Sequence, residues 1–148
     1  MIMRQRFADA RQRLEQVEEQ RSQVARLRRS VRLLEEKCTS TTTRYGTRNG
    51  SDGMGREELL AKLCDRREYL KQQETALQES EQRISQWIDQ LPRPRWRMVL
   101  RCRYLDGMSM QEIADELTRV TGRDFSVYQI YRLHSAALGA AEDLWLPS

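Results

Sequence analysis

Two long runs without glycine or proline constrain the fold of this chain more than any other feature of its sequence. The first extends from Met3 to Cys38 and the second from Arg56 to Leu91, so each is about 35 residues long. Apolar residues recur in the first run in steps of three and four, which places them on one side of a helix: Phe7, Ala10, Leu14, Val17, Val24, Leu27, Val31, Leu34 and Cys38. In the second run they recur every seven residues, a spacing that predicts a coiled coil, at Leu63, Leu70, Leu77, Ile84 and Leu91, with Leu60 and Ile88 on flanking positions.

The segment between the two runs predicts a flexible bend. Residues 38–55 have the sequence CTSTTTRYGTRNGSDGMG and contain four of the seven glycines, a composition that sustains neither helix nor strand. Two helices of equal length on either side of a bend favour an antiparallel hairpin, and a parallel coiled coil between two chains is the alternative. In the hairpin, residues whose numbers sum to about 96 lie level. This register predicts an ion pair between Arg21 and Glu74 inside the seam.

Composition supports an all-α fold and argues against several classes of function. Only 3 prolines and 7 glycines occur in 148 residues, and 32% of the residues are charged, which favours long solvated helices.

The three cysteines form no CxxC pair and the single histidine is His134, so we expect no metal, no cofactor and no disulfide framework. No nucleophile, phosphate loop or carboxylate cluster accompanies His134, which argues against an enzyme. The sequence shows neither a signal peptide nor an apolar run of about 20 residues, so we expect a cytoplasmic protein without membrane contact.

The last third of the chain predicts a separate module of three short helices. Pro92 and Pro94 end the second run, because proline lacks the amide donor that a helix requires. A helix is expected from Arg95 to Leu105. A second helix follows, capped by Ser109 with Glu112 in a capping box, and a polar turn from Thr118 to Phe125 leads to a third helix.

The third helix predicts a surface that could contact DNA bases. Ser126 is its expected N-cap, and its apolar residues would pack inward. Its outward side combines hydrogen-bonding side chains, a guanidinium and an apolar group, a mixture suited to base edges in the major groove. These outward residues are Val127, Tyr128, Gln129, Tyr131 and Arg132.

The strings RMVLRCRYLDGMSMQEIADEL and SVYQIYRLHSAAL resemble region 4 of sigma-70-type factors. Between Arg26 and Leu138 the chain also resembles small phage and prophage regulators of the ArpU/RinA type, which have a helical hairpin before a helix-turn-helix. One departure is the turn, which has eight residues here where the family usually has about three. The resemblance implies base contacts from Val127, Tyr128, Tyr131 and Arg132, and phosphate contacts from Arg97, Arg101, Arg103 and Gln111.

Together these features predict a coiled-coil hairpin over residues 1–91 and a sigma region 4-like helix-turn-helix module over residues 92–148. The expected function is sequence-specific binding of double-stranded DNA to regulate transcription of phage late genes, with RNA polymerase as a second partner. A palindromic operator would require a homodimer. Two alternatives are a small terminase-like packaging subunit and a coiled-coil adaptor that binds RNA polymerase without recognising a promoter sequence.

Overall fold

The computed structural model describes residues 2–43 and 55–145, and side chains over residues 9–40 and 55–144. Within these ranges the chain is all-helical, without a strand, which confirms the predicted fold class. The chain divides into two compact units: a hairpin unit, Gln20–Gln78, and a helix-turn-helix unit, Met1–Glu19 with Glu79–Ser148. The domain boundary predicted after residue 91 stays a prediction. The helices are α1 (Ile2–Thr43), α2 (Arg56–Asp89), α3 (Pro94–Leu100), α4 (Met110–Thr121) and α5 (Val127–Trp145).

In the hairpin unit, α1 and α2 pack antiparallel through the predicted apolar stripes. Val31 and Leu34 of α1 form a buried cluster with Leu59 and Leu63 of α2. Leu59 is 8% exposed, whereas Leu60, the residue that the heptad spacing placed on the flank of the seam, is 42% exposed. With Leu63 at heptad position a, the residue four before it occupies the core position d and faces α1, whereas Leu60 falls at position e on the edge of the seam.

Two ion pairs fix the register of the hairpin. Arg28 Nη2 lies 2.8 Å from Glu74 Oε2, and Arg67 Nη2 lies 3.5 Å from Glu35 Oε2. The residue numbers of each pair sum to 102, so the predicted register of about 96 was wrong by nearly one heptad. Glu74 pairs with Arg28, one heptad beyond the predicted Arg21, and the pair is exposed rather than inside the seam.

The start of the predicted bend was also wrong. Helix α1 continues through Thr43, although the Thr/Ser-rich sequence was expected to end it at Cys38. The hydroxyl of Thr39 donates to the carbonyl oxygen of Glu35 at 3.0 Å, which is how threonine is accommodated inside a helix. The remainder of the bend, residues 44–54, lies outside the described residues.

In the helix-turn-helix unit, α3 continues into a π-helical turn, Arg101–Leu105. The amide of Asp106 donates to the carbonyl of Arg101 at 3.1 Å. Gly107 then takes the left-handed conformation with φ +70°, as expected for the glycine that ends this helix. The core that joins α3, the π-helical turn, α4 and α5 consists of Val99, Cys102, Ile113, Ala114, Leu117 and Ile130.

Two features are absent from the described part of the chain: a membrane-spanning helix and a cluster of metal ligands. None of its helices combines the length and the apolar character needed to cross a membrane. Nor do its His, Cys, Asp and Glu side chains gather in any group of three that could hold a metal ion.

Substitution of adjacent leucines tests the observed helix phase. We expect Leu59→Ala to lower the free energy of unfolding by about 2 kcal/mol, because it removes buried apolar volume. The matched control Leu60→Ala should change it by less than about 0.5 kcal/mol, because that side chain is substantially exposed. Urea unfolding followed by circular dichroism measures both. Equal effects, or a larger effect at Leu60, would contradict the phase.

Candidate nucleic-acid interface

A capping box begins helix α4, as the sequence predicts. Ser109 Oγ accepts a hydrogen bond from the backbone amide of Glu112 at 3.2 Å, and Glu112 Oε1 accepts one from the backbone amide of Ser109 at 3.1 Å. The Ser109 amide holds the pKa of the Glu112 carboxyl below its usual value. This reciprocal pair fixes where α4 starts.

The connection between α4 and α5 is shorter than the predicted turn. Helix α4 extends to Thr121, and Gly122, with φ +74°, ends it in the left-handed conformation, so only residues 122–126 join the two helices. The amide of Phe125 donates to Thr118 Oγ1 at 3.0 Å, and the Phe125 ring packs against the core. The guanidinium of Arg95 lies 5.3 Å from the centre of that ring. These contacts hold the connection against the unit.

A second capping box begins α5, and it uses one of the predicted DNA-contacting residues. Gln129 donates its backbone amide to Ser126 Oγ at 3.2 Å, and Gln129 Oε1 accepts from the Ser126 amide at 2.9 Å. The side-chain carbonyl of Gln129 is therefore bonded to the backbone. The spacing of Ser126 and Gln129 matches the capping-box signature, a signal present in the sequence, from which only the Ser126 cap was predicted.

The outward side of α5 exposes four of the five residues predicted there, including Gln129, whose side chain belongs to the capping box. Tyr128 is 70% exposed, Tyr131 is 53% exposed, and Arg132 is also exposed. The guanidinium of Arg132 lies 5.9 Å from the centre of the Tyr128 ring, a cation–π distance that restrains both side chains. Val127, in contrast, is half-buried and packs against the core. We call Tyr128, Tyr131 and Arg132 the recognition face.

Two of the arginines predicted to contact phosphate bond within the protein. Arg97 Nη1 donates to the carbonyl oxygen of Leu91 at 2.6 Å. Arg101 donates to Ser85 Oγ at 3.1 Å and forms an ion pair with Asp89. Both side chains thereby tie α3 and its π-helical turn to the end of α2.

Arg103 and Gln111, the other two residues predicted to contact phosphate, also form bonds within the protein. Arg103 Nη1 lies 3.4 Å from Glu18 Oε1 of α1 and donates to the Met108 carbonyl oxygen at 3.4 Å. Gln111 Nε2 donates to Asp115 Oδ1 at 3.1 Å. A phosphate role for these residues stays a prediction, and one side-chain nitrogen of each is bonded within the unit.

A buried hydrogen bond anchors the inner side of α5. The Tyr104 hydroxyl and His134 Nε2 are 2.7 Å apart, and their stacked rings have centroids 5.7 Å apart. Burial, reinforced by nearby Arg11 and Arg103, lowers the pKa of His134 to about 4. Burial raises the pKa of Tyr104 to about 12. At neutral pH both groups are therefore uncharged, and the imidazole tautomer sets whether the hydroxyl or Nε2 is the donor of the bond.

Lowering the pH should reduce the free energy of unfolding, because protonation of His134 favours the unfolded chain. Unfolded histidine takes up a proton near pH 6.5, whereas the folded side chain stays neutral to about pH 4. The stabilising contribution is therefore complete above pH 6.5 and is lost as the pH falls toward 4, by at most about 3 kcal/mol. Urea unfolding at pH 7 and pH 4.5 measures the difference.

The matched variant is His134→Gln, which keeps an acceptor for Tyr104 but does not titrate, and its stability should depend less on pH in this window. His134 is the only histidine, so its imidazole signals in proton NMR report one group. A midpoint near pH 6.5 for those signals would refute the buried neutral histidine.

Comparison of the chain with known proteins adds no relative. No family model, no curated protein and no solved structure matches it. The resemblance to sigma region 4 and to the ArpU/RinA regulators therefore stays a prediction from the residues that carry it.

Proposed function

We propose that the protein is a sequence-specific, double-stranded DNA-binding regulator of transcription that acts in the cytoplasm and inserts α5 into the major groove. The observation that supports this proposal most directly is the recognition face. It projects from a helix whose opposite side is anchored by fully buried Ile130, Ala137 and Ala141. A rigid helix with exposed hydrogen-bonding and aromatic side chains suits the width of the major groove.

The three side chains of the recognition face have the spacing and chemistry that base contact requires. Tyr128, Tyr131 and Arg132 are three and four residues apart, so they lie on neighbouring positions of one helix surface. An arginine fork can donate two hydrogen bonds to guanine O6 and N7. A tyrosine offers a hydroxyl for a base edge and a ring for the thymine methyl group. Because Tyr128 lies beside the Arg132 guanidinium, less side-chain freedom would be lost on binding.

The resemblance to sigma region 4 and to the ArpU/RinA-type regulators supports a proposal of what the protein does once it is bound to DNA. It favours control of phage late genes, with RNA polymerase as a partner. Genome-wide mapping of the bound protein in phage and host DNA distinguishes this function from its alternatives. Binding upstream of late genes supports regulation, binding at a packaging site favours a terminase-like subunit, and no specific site favours a polymerase adaptor.

Arg132 is the residue whose removal tests the recognition face. We first expect selection from a random duplex library to enrich one sequence pattern. Arg132→Ala should then weaken binding to the enriched sequence about 5- to 150-fold, the loss of 1–3 kcal/mol expected for a bidentate base contact. Binding to random duplex should change far less.

The matched control is Arg83→Ala, which removes the same charge from an exposed position on α2 of the same unit. This control should leave the preference for the enriched sequence intact. Fluorescence anisotropy at fixed salt measures both variants. Failure to enrich any sequence, or equal losses in the two variants, would count against the proposal.

A further inference from the structure

A cavity of about 510 Å³ opens on the helix-turn-helix unit, between α3, α4 and α5. Six apolar side chains line it: Pro94, Trp96, Met98, Leu117, Val120 and Leu133. Its volume falls within the range of about 300–1,000 Å³ that is usual for small-molecule sites. Val120 is 53% exposed, so the cavity leaves apolar surface in contact with water. A ligand with an apolar body would bury that surface.

Two arginines give the same cavity a positive charge. Arg93 and Arg95 both line it, and both are exposed. The Arg93 guanidinium lies 5.0 Å from the centre of the Trp96 ring, and the Arg95 guanidinium lies 5.3 Å from the centre of the Phe125 ring. A cation–π contact restrains a guanidinium without using its N–H donors. Both arginines therefore keep donors for an anion at the cavity.

No acid among the described residues pairs with these two arginines. None of the residues that line the cavity is acidic. The acids within four residues of a lining residue are Asp89, Asp115, Glu116 and Asp124. Asp89 and Glu116 are paired with other arginines, and Asp115 accepts a hydrogen bond from a glutamine side chain. Asp124 is exposed and forms no ion pair with either arginine. The cavity is thus apolar in its walls and positive in its charge.

We propose that this cavity binds a small organic acid whose aromatic or aliphatic body contacts the apolar walls and whose carboxylate is bound by Arg93 and Arg95. A guanidinium can donate two parallel hydrogen bonds to one carboxylate. An inorganic anion would leave the apolar walls in water. A neutral apolar ligand would displace water from the arginines without replacing its hydrogen bonds. This site goes beyond the proposed function and does not depend on it.

Isothermal titration calorimetry of the full chain with naphthoate and with octanoate tests the cavity. We expect at least one of the two acids to bind saturably, and about 10-fold or more tightly than its neutral amide, because the amide lacks the charge-assisted bonds. Arg93→Gln and Arg95→Gln should each weaken binding of that acid about 10-fold. The matched control is Arg83→Gln, which removes the same charge from an exposed position outside the cavity and should change the affinity less than about twofold.

Val120→Glu provides a second test that does not disturb the core, because this side chain is already exposed. A carboxylate at this position would compete with the ligand for the arginines and repel it, so binding of the acid should be lost. Val120→Gln is the matched control, because it has nearly the same shape without the charge, and it should weaken binding far less. Equal effects of the two substitutions would show that charge at the cavity does not select the ligand and would overturn the proposal.

Three other results would overturn the site. They are absence of saturable binding by both acids, equal binding of each acid and its amide, and wild-type affinity in the Arg93→Gln and Arg95→Gln variants. Binding of a peptide that alternates acidic and apolar residues, without binding of either acid, would make the cavity a protein-docking surface and would also refute a small-acid site. None of these measurements involves DNA, so their failure leaves the proposed function standing.

Discussion

The hydrogen bond between Tyr104 and His134 joins the π-helical turn after α3 to α5 in the interior of the helix-turn-helix unit. Successive residues of a helix are separated by about 100°, so Arg132, two residues before His134, lies on nearly the opposite side of α5. The rotation that buries the imidazole therefore exposes the guanidinium. Because the pair is buried and neutral, breaking it would leave two polar groups without water, and α5 is held to one rotation about its axis.

Ion pairs between distant segments also hold the helix-turn-helix unit together. Arg101 and Arg103 bond to Asp89 of α2 and Glu18 of α1, so acids and bases that look solvated in the sequence connect helices. Part of each guanidinium is bonded within the unit, while the Arg101 and Arg103 side chains stay 39% and 35% exposed. The sequence of the helix-turn-helix unit carries a net charge of −1 and that of the hairpin unit +5.

Sequence periodicity predicted the helices and most of their buried positions, but not the register between them. Leu63, Leu77 and Ile84 are buried as the seven-residue spacing requires. The same repeat makes the register ambiguous, because sliding one helix by a heptad again brings apolar residues opposite each other. The observed register differs from the predicted one by nearly that step. It was settled by the pairs Arg28–Glu74 and Arg67–Glu35, whose partners are 46 and 32 residues apart.

In the candidate site too, some features follow from neighbouring residues in the sequence, whereas others depend on contacts that form only in the folded chain. The exposure of Tyr128 and Tyr131 follows from helical spacing alone, and the Ser109 cap follows from four consecutive residues. The partners of Arg97, Arg101 and Arg103 do not, since the acceptor on Glu18 is 85 residues from Arg103. A dense basic stretch therefore does not by itself identify a phosphate contact, because its acceptors are known only after folding.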